Sequence, residues 1–271
     1  MKWLQLVVVP LLLIASVSVV TAGHVRAADI WKGLDRIGEA RVAAVVDGDT
    51  VVIEPALDGM NEVRLVGIQA PKLPLGREGF KAWPLADESR SALVDLVHGM
   101  TVTLYSGGAR ADRHGRHLAH LRLANGTWVQ GELLRSGWAR VYSFPDNRSL
   151  IGEMLALESE SRGSHRGIWG HPNYAVRTPG ELADLIGRFE IIEGAVLAAA
   201  VHKGTGYLNF DDDWRTDFTL VIHPPSMAVF DAAGVDPESY ANRTVRVRGW
   251  LKSFNGPMIE VTHPEQIEIL P

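Results

Sequence analysis

Cysteine is absent from the 271 residues, which excludes disulfides, thiolate metal sites, cysteine nucleophiles and a lipid-bearing cysteine anchor. Stability has to come from packing. Positive charge is not in surplus either: the formal net charge is −5, so the whole molecule is no general polyanion binder, and a nucleic-acid site must be a local cluster of Arg and Lys. The HExxH, Walker and GxSxG signatures are all missing, so zinc hydrolysis and nucleoside-triphosphate chemistry have no support and no nucleotide cofactor is expected. What is present is a globular composition, 46% apolar and 22% charged, in a chain long enough for two compact domains.

The first residues, MKWLQLVVVPLLLIASVSVVTA, place one Lys before an apolar run and then small residues. That is the order of an export signal, over residues 1–27 with cleavage after Ala22 or Ala27, and it predicts a periplasmic or extracellular protein. The alternative is a retained amino-terminal anchor, because the run from Leu4 to Val20 approaches the length that spans a bilayer. Pro10 and the Ser-rich end favour cleavage.

Beyond it, Ala40 to Val46, Thr50 to Ile53 and Val63 to Ile68 are β-branched-rich runs separated by DGD and DGMN, which predicts a three-strand meander. Helical spacing predicts helices over Pro84 to His98, Trp128 to Arg135 and Arg148 to Arg162, with strands at Thr101 to Tyr105 and His117 to Leu123. The Pro- and Gly-bearing stretch 171–188 reads as a linker. The remainder predicts strands at Phe189 to Ala200, Tyr207 to Phe210 and Asp217 to Ile222, a helix over Met227 to Ala233, then strands at Thr244 to Leu251 and Ile259 to Leu270. Three strands, a helix and two strands is the order of an OB barrel, so residues 189–271 are expected to form one.

Five segments in order carry a family resemblance: VVDGDTVVI (45–53), VRLVGIQAP (63–71), DRHGR (112–116), SGWARVY (136–142) and GIW (167–169). Together they resemble the thermonuclease, or staphylococcal nuclease-like, family over residues 40–170, a little under half the chain. The resemblance implies an α+β fold, mainly β: a staphylococcal nuclease-like OB-fold barrel with helices, followed here by the second, smaller OB-like barrel. It implies phosphodiester hydrolysis of DNA or RNA, with calcium held by carboxylates on a phosphate oxygen, a glutamate that helps activate water, and two arginines that neutralise the phosphate in the transition state. Asp49 then matches a metal carboxylate, and Arg64 and Arg116 match the two catalytic arginines.

Two family positions differ. Where the family reads Asp-Thr/Ala-Pro-Glu, this chain reads Gln69, Ala70, Pro71, Lys72. Two acids are lost and a cation is gained, a shift of three charges at the site. Opposite unit charges about 4 Å apart attract by roughly 4 kcal/mol at an effective dielectric near 20, so an ammonium near Asp49 competes with calcium. The metal and base site therefore reads as degenerate. A relocated acid could come from Asp47, Glu78, Asp87 or Glu88, although Asp87 and Glu88 also suit a helix's first turn. An inactive nucleic-acid- or phosphate-binding module and a structural envelope protein are the alternatives to a nuclease.

Other residues are weighed on chemistry alone. Arg110, Arg113, Arg116, Arg135 and Arg140 cluster basic charge in sequence, with Tyr105, Tyr142 and Phe144 as stacking partners; Arg113, Arg140 and Tyr142 are the expected nucleic-acid contacts, with single strands favoured. His114, His117 and His120 would line one helix face, but Gly115 and the strand reading split them, so they read as surface or satisfied histidines. In the second half, Tyr207, Phe210, Trp214, Phe218, Trp250 and Phe254 fit an OB binding face or a core. Asp211, Asp212 and Asp213 read as a solvated hairpin tip.

Overall fold

The computed structural model describes residues 30–213 and 216–271. The expected export segment and Trp214 lie outside the described residues.

The first half opens with strands β1 (Asp35–Asp47), β2 (Thr50–Leu57), β3 (Met60–Leu65) and the short β4 (Ile68–Gln69). Helix α1 (Ala86–Val97), β5 (Thr101–Ser106), β6 (His117–Leu123), helix α2 (Val129–Arg135), β7 (Arg140–Val141) and helix α3 (Ile151–Gly163) follow. The strands close a barrel in the order β1-β2-β3-β6-β5, with β5 returning to β1. All pairs are antiparallel except β3 with β6, where Val63 faces His117 in a parallel register. Alternate residues fill the interior: Val42, Val51, Ile53, Val63, Leu65, Val102, Leu104 and Leu121 are fully buried. β1 can serve both β2 and β5 because register shifts between Val42 and Ala44 and between Val45 and Asp47 bend it. Helix α1 begins two residues after Pro84, because Leu85 adopts a left-handed conformation with φ 61° that breaks the run from the proline.

The second half contains β8 (Phe189–Ala195), β9 (Ala198–His202), β10 (Thr205–Asn209), β11 (Thr219–Ile222), helix α4 (Pro224–Ala232), β12 (Thr244–Ser253), β13 (Pro257–Glu260) and β14 (Ile267–Ile269). The sheet runs β9-β10-β11-β13-β12, with β8 and β14 both on β12. β8 and β9 are one strand interrupted at Val196 and Leu197, so that strand pairs with β12 at one end and with β10 at the other. β11 and β13 run parallel, as β3 and β6 do. The OB order therefore recurs, with α4 between the third and fourth strands where α1 sits in the first half. One expectation fails: Ile259 to Leu270 is not a single strand, because Pro264 opens a 3-10 turn that separates β13 from β14.

The stretch 171–188 connects the halves but is packed, not loose. Tyr174 is buried with Ile168, Trp169, Phe189 and Ile191, and Leu182 is fully buried in the second core. The halves also meet through charge. Glu158 of α3 and Arg248 of β12 are buried against each other at 2.9 Å, Arg148 pairs with Glu265 at 2.7 Å, and Ser143 Oγ lies 2.7 Å from His263 Nε2.

Candidate functional site

The two-residue turn Gly48-Asp49 joins β1 to β2 and is pressed against Ala70 and α1. A Cβ on Gly48 would overlap Ser89 Oγ and lie 2.6 Å from Ala70 Cβ, so only glycine lets the turn lie this close. The packing seals Asp49 from solvent. Its carboxylate accepts hydrogen bonds from the Ala70 backbone N–H at 2.7 Å and from Thr50 Oγ1 at 3.2 Å, and Arg64 lies 3.0 Å from Oδ1. The Lys72 ammonium is 2.7 Å from both Asp49 oxygens and 3.4 Å from Asp47 Oδ2. Burial by itself would push the Asp49 carboxyl up, but Arg64 and Lys72 hold it well below the usual carboxylate range. Asp47 goes the other way: burial, reinforced by the neighbouring Asp49 charge, raises it.

Gln69 makes no side-chain hydrogen bond to this cluster. On the β4–β7 ladder it stands opposite Arg140, and its Oε1 accepts two hydrogen bonds from that guanidinium, at 3.0 and 2.7 Å. Arg140 is itself buried, lies 4.4 Å over the Phe189 ring, and has its pKa lowered to about 10 by burial. A calcium ion wants about six to eight oxygen ligands. Here both oxygens of Asp49 face an ammonium and the neutral carbonyl of Gln69 is committed to Arg140, so the donor set does not fit calcium. Glu78, Asp87 and Glu88 are exposed, and among the described residues no three acids or histidines converge as a metal-binding group.

A cleft of about 460 Å³ opens beside the cluster, lined by Arg64, Arg113, His114, Arg116, Tyr142 and Phe144 among others. Arg64 forms its inner wall, with its donors turned to the Asp49, Leu65 and Ile68 carbonyls at 3.1, 3.1 and 2.7 Å. Arg116 is held by Asp112 at 2.6 Å and approaches Glu62 at 3.7 Å. The exposed Arg113 contacts the His114 ring.

Several sequence expectations need correction. Arg140 is buried behind Gln69 and offers no surface to nucleic acid. Arg110 and Arg135 form exposed pairs with Asp35 and Glu132 and do not line the cleft. Tyr105 packs on Trp31 with ring centroids 4.7 Å apart. His117 and His120 are both buried: His117 Nε2 lies 2.8 Å from the Leu57 carbonyl, and burial beside Trp128 lowers His120 to about 3. In the second half Phe218 is core, whereas Trp250 and Phe254 stay exposed. Sequence reasoning did not anticipate that the Trp250 Nε1–H donates to the Tyr142 hydroxyl at 3.1 Å, joining the second barrel to the cleft wall.

A family model described as "Staphylococcal nuclease homologue" matches residues 62–171. The chain is 32% identical over 111 residues to "Probable staphylococcal-like nuclease CAN2" of Oryza sativa subsp. japonica, a match covering 41% of this chain and 26% of that protein. It is 25% identical over 149 residues to "Endonuclease YhcR" of Bacillus subtilis (strain 168), covering 53% of this chain and 12% of that protein. It is also 31% identical over 140 residues to "Protein ParB" of Escherichia coli, covering 49% of this chain and 72% of that protein. The chain thus spans about a quarter of the length of the rice relative. The closed five-stranded barrel, the family match across its later strands and helices, and these relatives lead to one conclusion: the chain belongs to the staphylococcal nuclease homologue family.

Proposed function

We propose that this chain binds nucleic-acid phosphates in the cleft of Arg64, Arg113 and Arg116, and that calcium-dependent hydrolysis is lost because Lys72 stands where a cation would act. The family is generally calcium-dependent, and the observation that carries this reading is the Lys72 ammonium 2.7 Å from both Asp49 oxygens. A tethered ammonium neutralises the carboxylate but has no open coordination position with which to polarise a phosphate oxygen. Glu78, Asp87 and Glu88 do not line the cleft, and of the two acids that do, Asp112 is tied to Arg116 and Asp146 lies across from the Asp49 turn on the loop after Tyr142, so neither stands at the absent glutamate's position. What remains is phosphate recognition by guanidinium groups, which binds without cleaving.

The test is digestion of single-stranded and duplex DNA and of RNA, with calcium or with chelator, beside salt-dependent binding. The expected result is binding that weakens as salt rises, with cleavage low and indifferent to chelator. Vigorous calcium-dependent cleavage by the wild type would sink this reading in favour of an active nuclease, which the nuclease names of the rice and Bacillus relatives favour. The double change Gln69→Asp with Lys72→Glu returns both acids. It should create calcium-dependent cleavage, and adding Arg116→Ala should remove it.

The amino-terminal apolar run supports action outside the cytoplasm. Cell fractionation should find a shortened protein in the periplasm or medium, and a full-length cytosolic product would refute export.

A further inference from the structure

The phosphate cleft does not end at the first barrel. It shares Tyr142 and Phe144 with a second hollow of about 210 Å³, which is also lined by Phe189, Trp250 and Lys252. That hollow in turn shares Phe189 and Trp250 with a third of about 390 Å³, which reaches Trp83, Lys81 and Arg188. Shared walls make the three neighbours across the boundary between the barrels, a trough of three hollows. A file of rings runs along it: Phe144 to Tyr142 at 4.8 Å, Tyr142 to Phe189 at 5.1 Å and Phe189 to Trp250 at 6.0 Å between centroids, each pair edge to face. Phe189, at 4% exposure, is buried glue between the domains, yet Phe144 is 47% and Trp250 39% exposed at the two ends of the file. The hydrogen bond from Trp250 Nε1–H to the Tyr142 hydroxyl holds two of these rings in place before any ligand arrives.

Charge along the trough is opposite in sign to the protein as a whole. Arg140 and Arg248 lie buried behind its walls; of its other lining residues six are Arg or Lys and three are Asp or Glu, in a chain of net charge −5. Lys252 faces Glu260 at 2.5 Å, but the pair is exposed, and such pairs are weak enough to yield to a phosphate. Alternating cationic groups and open ring faces suit a single strand, whose unpaired bases can stack while its backbone follows the charge. A duplex keeps its bases stacked on one another and offers these rings nothing.

Deepening the phosphate-binding reading, and resting on it, we infer that the trough is a single-strand nucleic-acid path, with Trp250 and Phe144 as base platforms and Lys252 and Arg188 carrying the backbone onto the second barrel.

Fluorescence anisotropy with labelled oligothymidylates and oligouridylates tests it, using two and eight nucleotides and a duplex of matched length. The octamer should bind at least about tenfold more tightly than the dinucleotide and than the duplex. Thymidylate and uridylate arms tell DNA from RNA, and a gain in either supports the path. Trp250→Ala should cost the octamer about fivefold or more, the loss of one stacked base, without weakening the dinucleotide, and Trp250→Phe should retain the gain. Because Trp250→Ala removes a hydrogen bond across the domains, the wild type is also photocrosslinked to an octamer carrying 5-iodouracil. Adducts on Trp250 are expected. Equal affinity for two and eight nucleotides, or adducts confined to the Arg113 side, would overturn the path while leaving the phosphate cleft standing. No binding to any oligonucleotide would overturn both.

Discussion

The cleft cluster of Asp47, Asp49, Arg64 and Lys72 and the interface cluster of Glu158, Arg162, Arg248 and Glu268 each set two carboxylates against two cations, but solvent reaches them differently. At the interface Arg248 is 1% exposed and lies between Glu158 at 2.9 Å and Glu268 at 2.6 Å, while Arg162 reaches Glu158 at 2.9 Å. Glu158 also accepts the Val141 backbone N–H, so the pair fixes the strand that leads into Tyr142. In the cleft, Lys72 comes from the loop after β4 and its side chain keeps 20% exposure. Water or another cation can replace an ammonium at such a mouth, whereas Glu158, fully buried, is left with Arg162 as its one cation once Arg248 is gone. The first arrangement resembles a stand-in for an ion, the second a clamp between domains.

The largest expected effect tests the clamp. Arg248→Met leaves Glu158 buried with Arg162 alone, and removing one partner of a buried pair costs roughly 3–5 kcal/mol. Urea denaturation should show that loss, and adding Glu158→Leu should recover part of it, because an apolar pair of similar volume carries no stranded charge. A cost below about 1 kcal/mol for the single change would mean that the interface does not hold the barrels together.

Acid should attack the interface next. Burial lowers His263 to about 4, so the unfolded chain takes up a proton below its ordinary pKa near 6.5 while the folded chain stays neutral there. Stability is then present above about pH 6.5 and falls as pH drops toward 4, by up to about 3 kcal/mol from this group. Glu158, held below its usual range although burial opposes this, adds a loss at still lower pH. Asp47 in the cleft carries the opposite sign: its raised folded pKa means that the native state takes its proton first, which favours the folded chain as pH falls. Melting temperatures from pH 7 to 4 should fall, and His263→Gln should flatten the slope above pH 4. A flat wild-type profile would break the distinction.

Much of the barrel was legible. The β5 and β6 runs were marked by alternation, and their ends were set by Gly99, Gly115 and the turn-rich stretch between them. The altered acids were legible too, because Gln69 and Lys72 sit beside motifs that fix their place. The partners of those residues were not. Nothing local says that Gln69 turns to Arg140, since the contact depends on β4 pairing with β7, 71 residues away. Strand alternation in VRVRGWL puts Arg246, Arg248 and Trp250 on one face, which reads as solvent-facing. The first barrel covers that face, so Arg248 is buried and Trp250 becomes a wall of the trough. In α3, Glu158 and Ser161 are buried beside Ile151 and Met154, and no apolar stripe could have announced an acid that a distant strand neutralises.

The smallest expected effect sharpens the comparison most, because it asks the same question of the open cluster. Lys72→Met removes the ammonium from Asp49 but leaves Arg64 at 3.0 Å, the Ala70 N–H and the Thr50 hydroxyl in place. Solvent at the cleft mouth can fill the gap, so the cost should be about 1 kcal/mol, well below that of Arg248→Met, since a partly exposed charge pays less desolvation than a sealed one. The variant also presents two neighbouring carboxylates without their competing cation. Calcium at roughly ten times its dissociation constant should then raise stability by about 1.4 kcal/mol, while wild type and Arg248→Met stay indifferent to it. Affinity should remain weak, because Gln69 still faces Arg140 and supplies no third oxygen. Thermal melts of the three proteins with calcium and with chelator provide the measurement. If Lys72→Met costs as much as Arg248→Met and ignores calcium, Lys72 is a clamp as well, and its likeness to a displaced ion is lost.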